Sequence, residues 1–218
     1  MLPFTSDQFL ANLVAYNEAI WPMQPAAFAC GALAVVLLLW RPRMADRLVA
    51  VILAVMWLWT GIAYHWLHFT AINKAAFIFG AMFVTQGALL LYCGVFRRQL
   101  RFGRDLGLAV SVGIAFVAYA TILYPLLGIW MGHPYPEMPA FGVTPCPVTI
   151  FTFGFFLLAK PPLPRWLVAI PFIWSLIGGS AAFLLGVPQD WLLLASGIIA
   201  VPLIALGDSH PSGAKITG

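Results

Sequence analysis

The chain has 218 residues, of which 62% are hydrophobic and only 8% are charged. Soluble domains carry about 25% charged residues, so this composition excludes a soluble globular protein. The formal net charge of +4 does not indicate nucleic-acid binding either, because the basic residues are divided among short segments and form no basic domain.

The first segment, residues 1–21, is amphipathic and is not a membrane span. Asp7 and Glu18 are among the polar residues that interrupt it, and Thr5 and Ser6 are typical of a helix N-cap. Apolar side chains then recur near helical spacing. We therefore predict a short helix that lies on the membrane surface. Its apolar positions are Phe9, Leu10, Leu13, Val14 and Tyr16.

Seven apolar runs follow the N-terminal segment. A helix needs about 20 residues to cross a bilayer, and most of the runs reach that length. The sequence therefore predicts an all-α integral membrane bundle of seven transmembrane helices, with one domain over 22–207 and a tail at 208–218. The runs cover approximately 22–40, 48–67, 74–96, 106–130, 141–159, 166–187 and 190–207.

The basic residues determine the predicted orientation. All eleven Lys and Arg residues except Lys74 lie in or beside alternate gaps between the runs. Because Lys and Arg are retained on the cytoplasmic side, we place the N-terminus outside and the C-terminal tail in the cytoplasm. The arginine loops would also contact anionic lipid headgroups. The basic residues are Arg41, Arg43, Arg47, Arg97, Arg98, Arg101, Arg104, Lys160, Arg165 and Lys215.

The fifth run differs from the others because prolines crowd its entry. Proline lacks an amide donor and restricts the preceding residue to extended geometry, so the helix should begin only near Cys146 or Pro147. It is then short for a full crossing. A short or broken span often marks a binding site in a membrane protein. The prolines are Pro134, Pro136, Pro139, Pro145 and Pro147.

A faint internal repeat relates the first three runs to the last three. Residues 28–31 resemble 151–154, and the runs that follow begin alike at Arg47 and Arg165. The pattern favours a 3+1+3 arrangement of parallel repeats. Low-complexity hydrophobic sequence also produces such matches by chance, and both interpretations stay open.

Candidate ligands collect on the predicted outer side. His65 and His68 are three residues apart and would share one helical face, while His133 ends the fourth run and Cys146 opens the fifth. Imidazole and thiolate suit copper or zinc, so the sequence predicts a metal site at these four residues. The residues expected to complete the ligand-binding site are Glu18, Tyr64, Glu137 and Thr149.

The same residues have a structural interpretation. Histidines near a membrane interface act as anchors beside Trp and Tyr, and Trp57, Trp59 and Trp66 lie close to His65. Cys146 would then be a small residue at a proline-shaped helix entry. The sequence does not decide between anchors and ligands, although ionisable groups inside spans are often functional.

Most familiar catalytic motifs are missing from the sequence. There is no HExxH pattern, no phosphate-binding glycine loop with Lys and Ser or Thr, and no serine beside a histidine in the apolar runs. Cys30 and Cys93 lie away from Cys146 in the predicted topology, which disfavours thiol-disulfide exchange. The sequence therefore favours a protein that is not an enzyme.

Several short segments carry a family resemblance that extends over nearly the whole chain. They include 59–65 (WTGIAYH), 132–136 (GHPYP) and 141–151 (FGVTPCPVTIF), with further matches at 2–5, 8–9, 16–17, 20–22, 71–73 and 124–128. The chain resembles an uncharacterised bacterial family of small multi-pass membrane proteins, described as a domain of unknown function and sometimes labelled permeases. The resemblance implies a location in the bacterial cytoplasmic membrane and assigns no residue roles. Seven spans are too few for the two six-helix halves of a major-facilitator transporter.

The sequence leaves two candidate functions. The first is a small transporter or binding protein whose outward-facing His/Cys vestibule receives a metal ion or a small polar solute. The alternative is a membrane-embedded enzyme that acts on a lipid or a thiol-reactive substrate at the same site. Transport needs polar residues that continue toward the cytoplasm, and Thr85, Gln86, Ser111 and Thr121 provide only a sparse path.

Overall fold

The computed structural model describes residues 3–209, and within them the chain forms an all-α bundle without β-strands. This confirms the predicted fold class. π-helical turns extend α3 over Thr60–Trp66 and α4 over Tyr92–Phe96, and another joins α5 to α6 over Tyr119–Leu123. The helices are α1 Ser6–Ala19, α2 Met23–Trp40, α3 Ala45–Trp59, α4 Ala76–Leu91, α5 Leu108–Ala118, α6 Tyr124–Trp130, α7 Pro145–Leu158, α8 Arg165–Leu185 and α9 Trp191–Ser209.

Six helical segments of the described chain are long and apolar enough to cross a membrane, which is the signature of a membrane protein. They correspond to six of the seven apolar runs. The remaining run contains α7, which has only 14 residues and would span about 21 Å. The six segments are Met23–Trp40, Ala45–Ala71, Ala76–Phe96, Leu108–Trp130, Arg165–Leu185 and Pro188–Gly207.

The short helix α7 lies in the centre of the bundle. It begins at Pro145, which confirms the predicted late start, and every one of its residues is buried. It packs on α5, α9, α8 and α3. The closest approach to α5 is made by two glycines, since a Cβ atom on Gly154 would lie 2.9 Å from the carbonyl oxygen of Gly113. Central burial explains how a helix too short for a full crossing is accommodated.

The predicted N-terminal helix is confirmed as α1. Thr5 and Gln8 form a capping box, in which the Gln8 N–H donates to Thr5 Oγ1 and the Thr5 N–H donates to Gln8 Oε1. The buried positions of α1 include Phe9, Leu13 and Tyr16. They pack in one hydrophobic cluster with residues from the end of α3 and the entry of α7, so the apolar face of α1 covers protein.

The connections gather at two ends of the bundle. We call one the histidine end, made of α1, residues 67–75, 131–144 and 186–190, and the other the arginine end, made of residues 41–44, 97–107 and 159–164. The predicted tail at 208–218 lies outside the described residues except at its start. At the arginine end, residues 97–107 are joined to 159–164 and to α3, because the Lys160 N–H donates to the Arg101 carbonyl (2.7 Å) and the Phe102 N–H to Asp46 Oδ1 (3.0 Å).

Candidate functional site

A cavity of about 220 Å³ lies at the histidine end, beneath α1. Its walls come from α1, the extension of α3, the start of α4, the entry of α7, the end of α8 and the turn before α9. Aromatic and aliphatic side chains provide most of the lining. Among the exceptions are Cys146 and Asp190, which place a thiol and a carboxyl group at the wall of a largely apolar space.

The backbone before α7 determines where Cys146 lies. Gly142 has a φ of 76°, a left-handed conformation that favours glycine, and a Cβ atom there would meet the Ala27 Cβ at 2.6 Å. Thr144 is extended and its hydroxyl donates to the Ala140 carbonyl at 2.8 Å. The helix therefore starts abruptly at Pro145, and Cys146 occupies its first turn.

Asp190 is the buried acid of this site, with a side chain only 4% exposed. It ends the short helical turn Pro188–Asp190 that leads into α9. The Tyr124 hydroxyl from α6 donates a hydrogen bond to its carboxyl group, and the Cys146 thiol from α7 lies at the same wall of the cavity. The same turn is held by the Tyr119 hydroxyl, which donates to the Gln189 carbonyl at 2.7 Å. Side chains from α6 and α7 thus meet at the turn that carries Asp190.

Helix α1 forms the roof of the cavity, because Phe9 lines it while Tyr16 and Asn17 hold the helix in place. The Tyr16 hydroxyl donates to the Val143 carbonyl at 2.6 Å and accepts from Trp59 Nε1 at 3.0 Å. The Asn17 amide donates to the carbonyl groups of Pro136 (2.7 Å) and Met138 (2.9 Å). Burial raises the pKa of the Tyr16 hydroxyl well above its ordinary value, so this group stays neutral and keeps its donor role. These contacts tie α1 to the proline-rich loop.

The structure places some of the predicted ligand-binding residues at the cavity and others elsewhere. Tyr64 and Cys146 line it. His133 and Glu137 line a separate, smaller cavity of about 120 Å³, and Glu18 is exposed on α1. Thr149 is buried, and its hydroxyl donates to the Pro145 carbonyl at 2.8 Å within its own helix.

The two neighbouring histidines do not share one face. His65 belongs to the π-helical turn Thr60–Trp66 and His68 follows it. A π-helix has more residues per turn than an α-helix, so side chains three residues apart no longer point in similar directions. The His65 ring is enclosed by aromatic side chains, with ring centroids 4.8 Å from Phe83 and 5.2 Å from Trp174. Neither nitrogen of His65 has a hydrogen-bond partner. The His68 ring instead packs on Tyr16 at 5.0 Å and its Nδ1 atom contacts the Ala63 carbonyl at 2.8 Å.

The structure does not support the predicted copper or zinc site. Within residues 3–209, no three His, Cys, Asp or Glu side chains lie close enough together to hold a metal ion. His65 is packed among rings, His68 is engaged with a backbone carbonyl, and His133 lies at another cavity, so these residues do not converge on Cys146.

Sequence reasoning missed Asp190, the residue on which the polar contacts of the cavity centre. Its tyrosine partner is 66 positions away, so no local spacing reveals the pair. The position of Asp190 in the sequence was nevertheless informative. An acid at the very start of an apolar run is expensive to bury, and such residues in membrane spans are commonly functional.

Six apolar helical segments of the described chain and the cavity at the histidine end define an all-α membrane protein with a largely apolar pocket. The chain belongs to a family of unknown function (DUF6064), whose model matches residues 6–214. This confirms the resemblance to an uncharacterised family that the sequence segments carry. No curated protein and no solved structure matches the chain.

Proposed function

We propose that this protein is a membrane-embedded binding protein for a small amphiphilic molecule that carries a hydrogen-bond donor or a positive charge. The observation that supports the proposal most strongly is Asp190, a buried carboxyl group at the wall of an otherwise largely apolar cavity. Tyr124 donates to one oxygen of this carboxyl group, and a carboxylate accepts several hydrogen bonds, so a ligand with a donor group would complete its pairing. The apolar lining would cover the rest of the ligand.

The cavity volume bounds the size of the ligand. Pockets for drug-sized molecules measure roughly 300–1,000 Å³, whereas this cavity measures about 220 Å³. The ligand should therefore be smaller than a typical drug, with one polar group and a short apolar part. A hydrated polar solute fits less well, because the lining offers few hydrogen-bond partners to replace its water.

Binding is better supported than transport because the polar residues along the spans are dispersed. Thr85 and Ser111 have exposed side chains, whereas Gln86 is buried and donates to the Leu167 carbonyl at 3.0 Å. The Thr85, Ser111 and Thr121 hydroxyls each donate to a carbonyl of their own helix. These residues therefore do not line one continuous path from the cavity to the arginine end.

The proposed setting is a bacterial cytoplasmic membrane, as the family resemblance implies. The arginine end would face the cytoplasm and the histidine end would face outward, in keeping with the retention of Lys and Arg on the cytoplasmic side. In this orientation the cavity opens near the outer leaflet. We also propose that α7 is a seventh, shorter span of the bundle, and that the seven spans form a 3+1+3 arrangement of parallel repeats.

The test uses three probes of equal chain length, which are heptylamine, heptanol and heptanoate. Purified protein in a neutral detergent is treated with N-ethylmaleimide, and alkylation of Cys146 is followed by mass spectrometry. Heptylamine should slow the alkylation most and heptanoate least, because Asp190 attracts a cation and repels an anion. Asp190→Asn should remove this preference, while Glu18→Gln, an exposed acid on α1, should leave it unchanged. Equal protection by all three probes, or by none, would contradict the proposal.

A second candidate function is catalysis by the Cys146 thiol. The observation that favours it is the position of Cys146 in the first turn of α7 beside the Asp190 carboxyl group. In that case Asp190 would take the thiol proton as the sulfur attacks an ester carbonyl of a lipid, and would return it to the departing alkoxide, which leaves a thioester on Cys146 and a free alcohol. Cys146→Ala distinguishes the two functions. If the protein only binds, the variant keeps its affinity for heptylamine, measured by titration calorimetry, within a few-fold, and the wild type shows no acylated Cys146. If the protein is an enzyme, mass spectrometry detects an acylated Cys146 in the wild type treated with a lipid ester.

A further inference from the structure

A second and larger cavity lies at the opposite end of the molecule. It measures about 690 Å³ and is formed between the end of α4 with residues 97–101 and the α7–α8 connection at 160–164. Four of the residues that line it are basic, and none is acidic. We refer to it as the basic cleft. Its basic residues are Arg97, Arg98, Arg101 and Lys160.

The backbone beneath the basic cleft is well anchored. The Lys160 N–H donates to the Arg101 carbonyl at 2.7 Å, and Phe102 forms an antiparallel bridge with Ala159. Leu100 and Leu163 are buried below, with 1% and 4% exposure. The two connecting segments are thus fixed to each other, and their charged side chains are carried on a defined platform. Ordered backbone reduces the entropy that a ligand must overcome on binding.

The four basic side chains remain exposed to solvent around this platform. Arg98 adopts a left-handed backbone conformation with a φ of 54°, which residues other than glycine rarely adopt. The guanidinium carbon of Arg97 lies 5.9 Å from the centre of the Tyr92 ring. Like charges brought together without an acid in the lining repel one another, and an anion relieves that repulsion.

We propose that the basic cleft binds a phosphate-bearing group. Guanidinium groups match phosphate oxygens with paired hydrogen bonds, and Lys160 adds a compact point charge. The volume far exceeds that of one phosphate ion and accommodates a phosphorylated headgroup. Trp166 also lines the cleft, and Trp and Tyr are the residues enriched at the headgroup level of membranes. The source of the phosphate is either the headgroup of an anionic phospholipid or a free phosphate compound.

The experiment measures dissociation constants on the full chain in a neutral detergent. The probes are dihexanoyl phosphatidylglycerol, dihexanoyl phosphatidylcholine and inorganic pyrophosphate, all at one ionic strength. The wild type should bind phosphatidylglycerol or pyrophosphate and show little affinity for phosphatidylcholine. Preference for phosphatidylglycerol, without competition by pyrophosphate, identifies a lipid headgroup. Competition by pyrophosphate identifies a free phosphate compound. Absence of binding by both anionic probes overturns the proposal.

A pair of matched variants separates a site from diffuse positive charge. Arg98→Gln/Arg101→Gln removes two charges from the cleft, and Arg43→Gln/Arg47→Gln removes two charges that do not line it. The first variant should weaken binding by roughly tenfold to thirtyfold and the second by less than about threefold. Equal losses would overturn the proposal. If the first variant does not fold, Lys160→Gln is compared with Lys74→Gln in the same assay, with equal losses again counting against a defined site.

Discussion

The two ends of this molecule differ in how they hold charge. At the histidine end, one carboxyl group is buried and the Tyr124 hydroxyl donates a hydrogen bond to it. At the arginine end, four basic side chains are exposed around a cleft whose lining contains no acid. A buried charge requires partners supplied by the fold, whereas an exposed charge is stabilised by water and stays available to a ligand. The two ends are therefore suited to different ligands.

Helix α7 starts at the cavity of the histidine end and leads into the basic cleft at the arginine end. The first prediction tests whether the structure of both ends depends on the packing of α7. Gly154→Val should lower the free energy of unfolding by about 3 kcal/mol or more, because the new side chain would meet the α5 backbone, which cannot move aside cheaply. Thermal unfolding in detergent, together with Cys146 alkylation and pyrophosphate binding, measures the effect at both ends. Gly107→Ala is the control, since nothing lies within 4 Å of the Cβ position there.

Gly154→Val could instead change Cys146 alkylation alone or pyrophosphate binding alone. Such a result would mean that α5 and α7 can separate locally while the other end keeps its structure. Full retention of stability in Gly154→Val would show that the close contact between Gly113 and Gly154 is not a constraint on the bundle.

The second prediction tests the buried acid. Asp190→Ala should lower the free energy of unfolding by about 2 kcal/mol, because it leaves the buried Tyr124 hydroxyl without its acceptor. Asp190→Asn keeps an acceptor oxygen and should cost less, although it removes the charge proposed to attract an amine. Melting temperatures of both variants, set against Glu18→Ala, provide the measurement. An equal effect of Asp190→Ala and Glu18→Ala would mean that burial of the acid has no energetic consequence.

The third prediction concerns the roof of the cavity. Tyr16→Phe removes the hydroxyl that bonds Val143 and Trp59, and should cost about 1 kcal/mol. A looser roof exposes the cavity, so Cys146 should react faster with N-ethylmaleimide while pyrophosphate binding at the arginine end is unchanged. Thr85→Val, which removes an exposed hydroxyl that donates within its own helix, is the control. An unchanged alkylation rate would show that access to Cys146 does not pass beneath α1.

Hydropathy and proline placement predicted much of the fold because both are local signals. The apolar runs, the late start of α7 at Pro145 and the N-terminal helix all follow from residues next to one another. The site was predicted only in part. Tyr64 and Cys146 do line the cavity, but Asp190 depends on a tyrosine distant in the chain. The relative orientation of His65 and His68 was not predictable from their spacing, because the chain forms a π-helical turn there and not an α-helix.

The last and smallest effect is expected at His65, and it separates packing from a ligand role. His65 is fully buried among rings and neither of its nitrogens has a hydrogen-bond partner. Replacing such a group by an apolar one of similar shape removes an unsatisfied polar group, so His65→Phe should change the free energy of unfolding by less than about 1 kcal/mol and in the stabilising direction. His68→Phe should instead be destabilising, because the His68 ring contacts the Ala63 carbonyl. Melting temperatures of the two variants measure these opposite changes in stability. A large destabilisation by His65→Phe would mean that this ring has a partner in the folded protein, such as water or a bound ligand, and that the histidine end holds a second polar site.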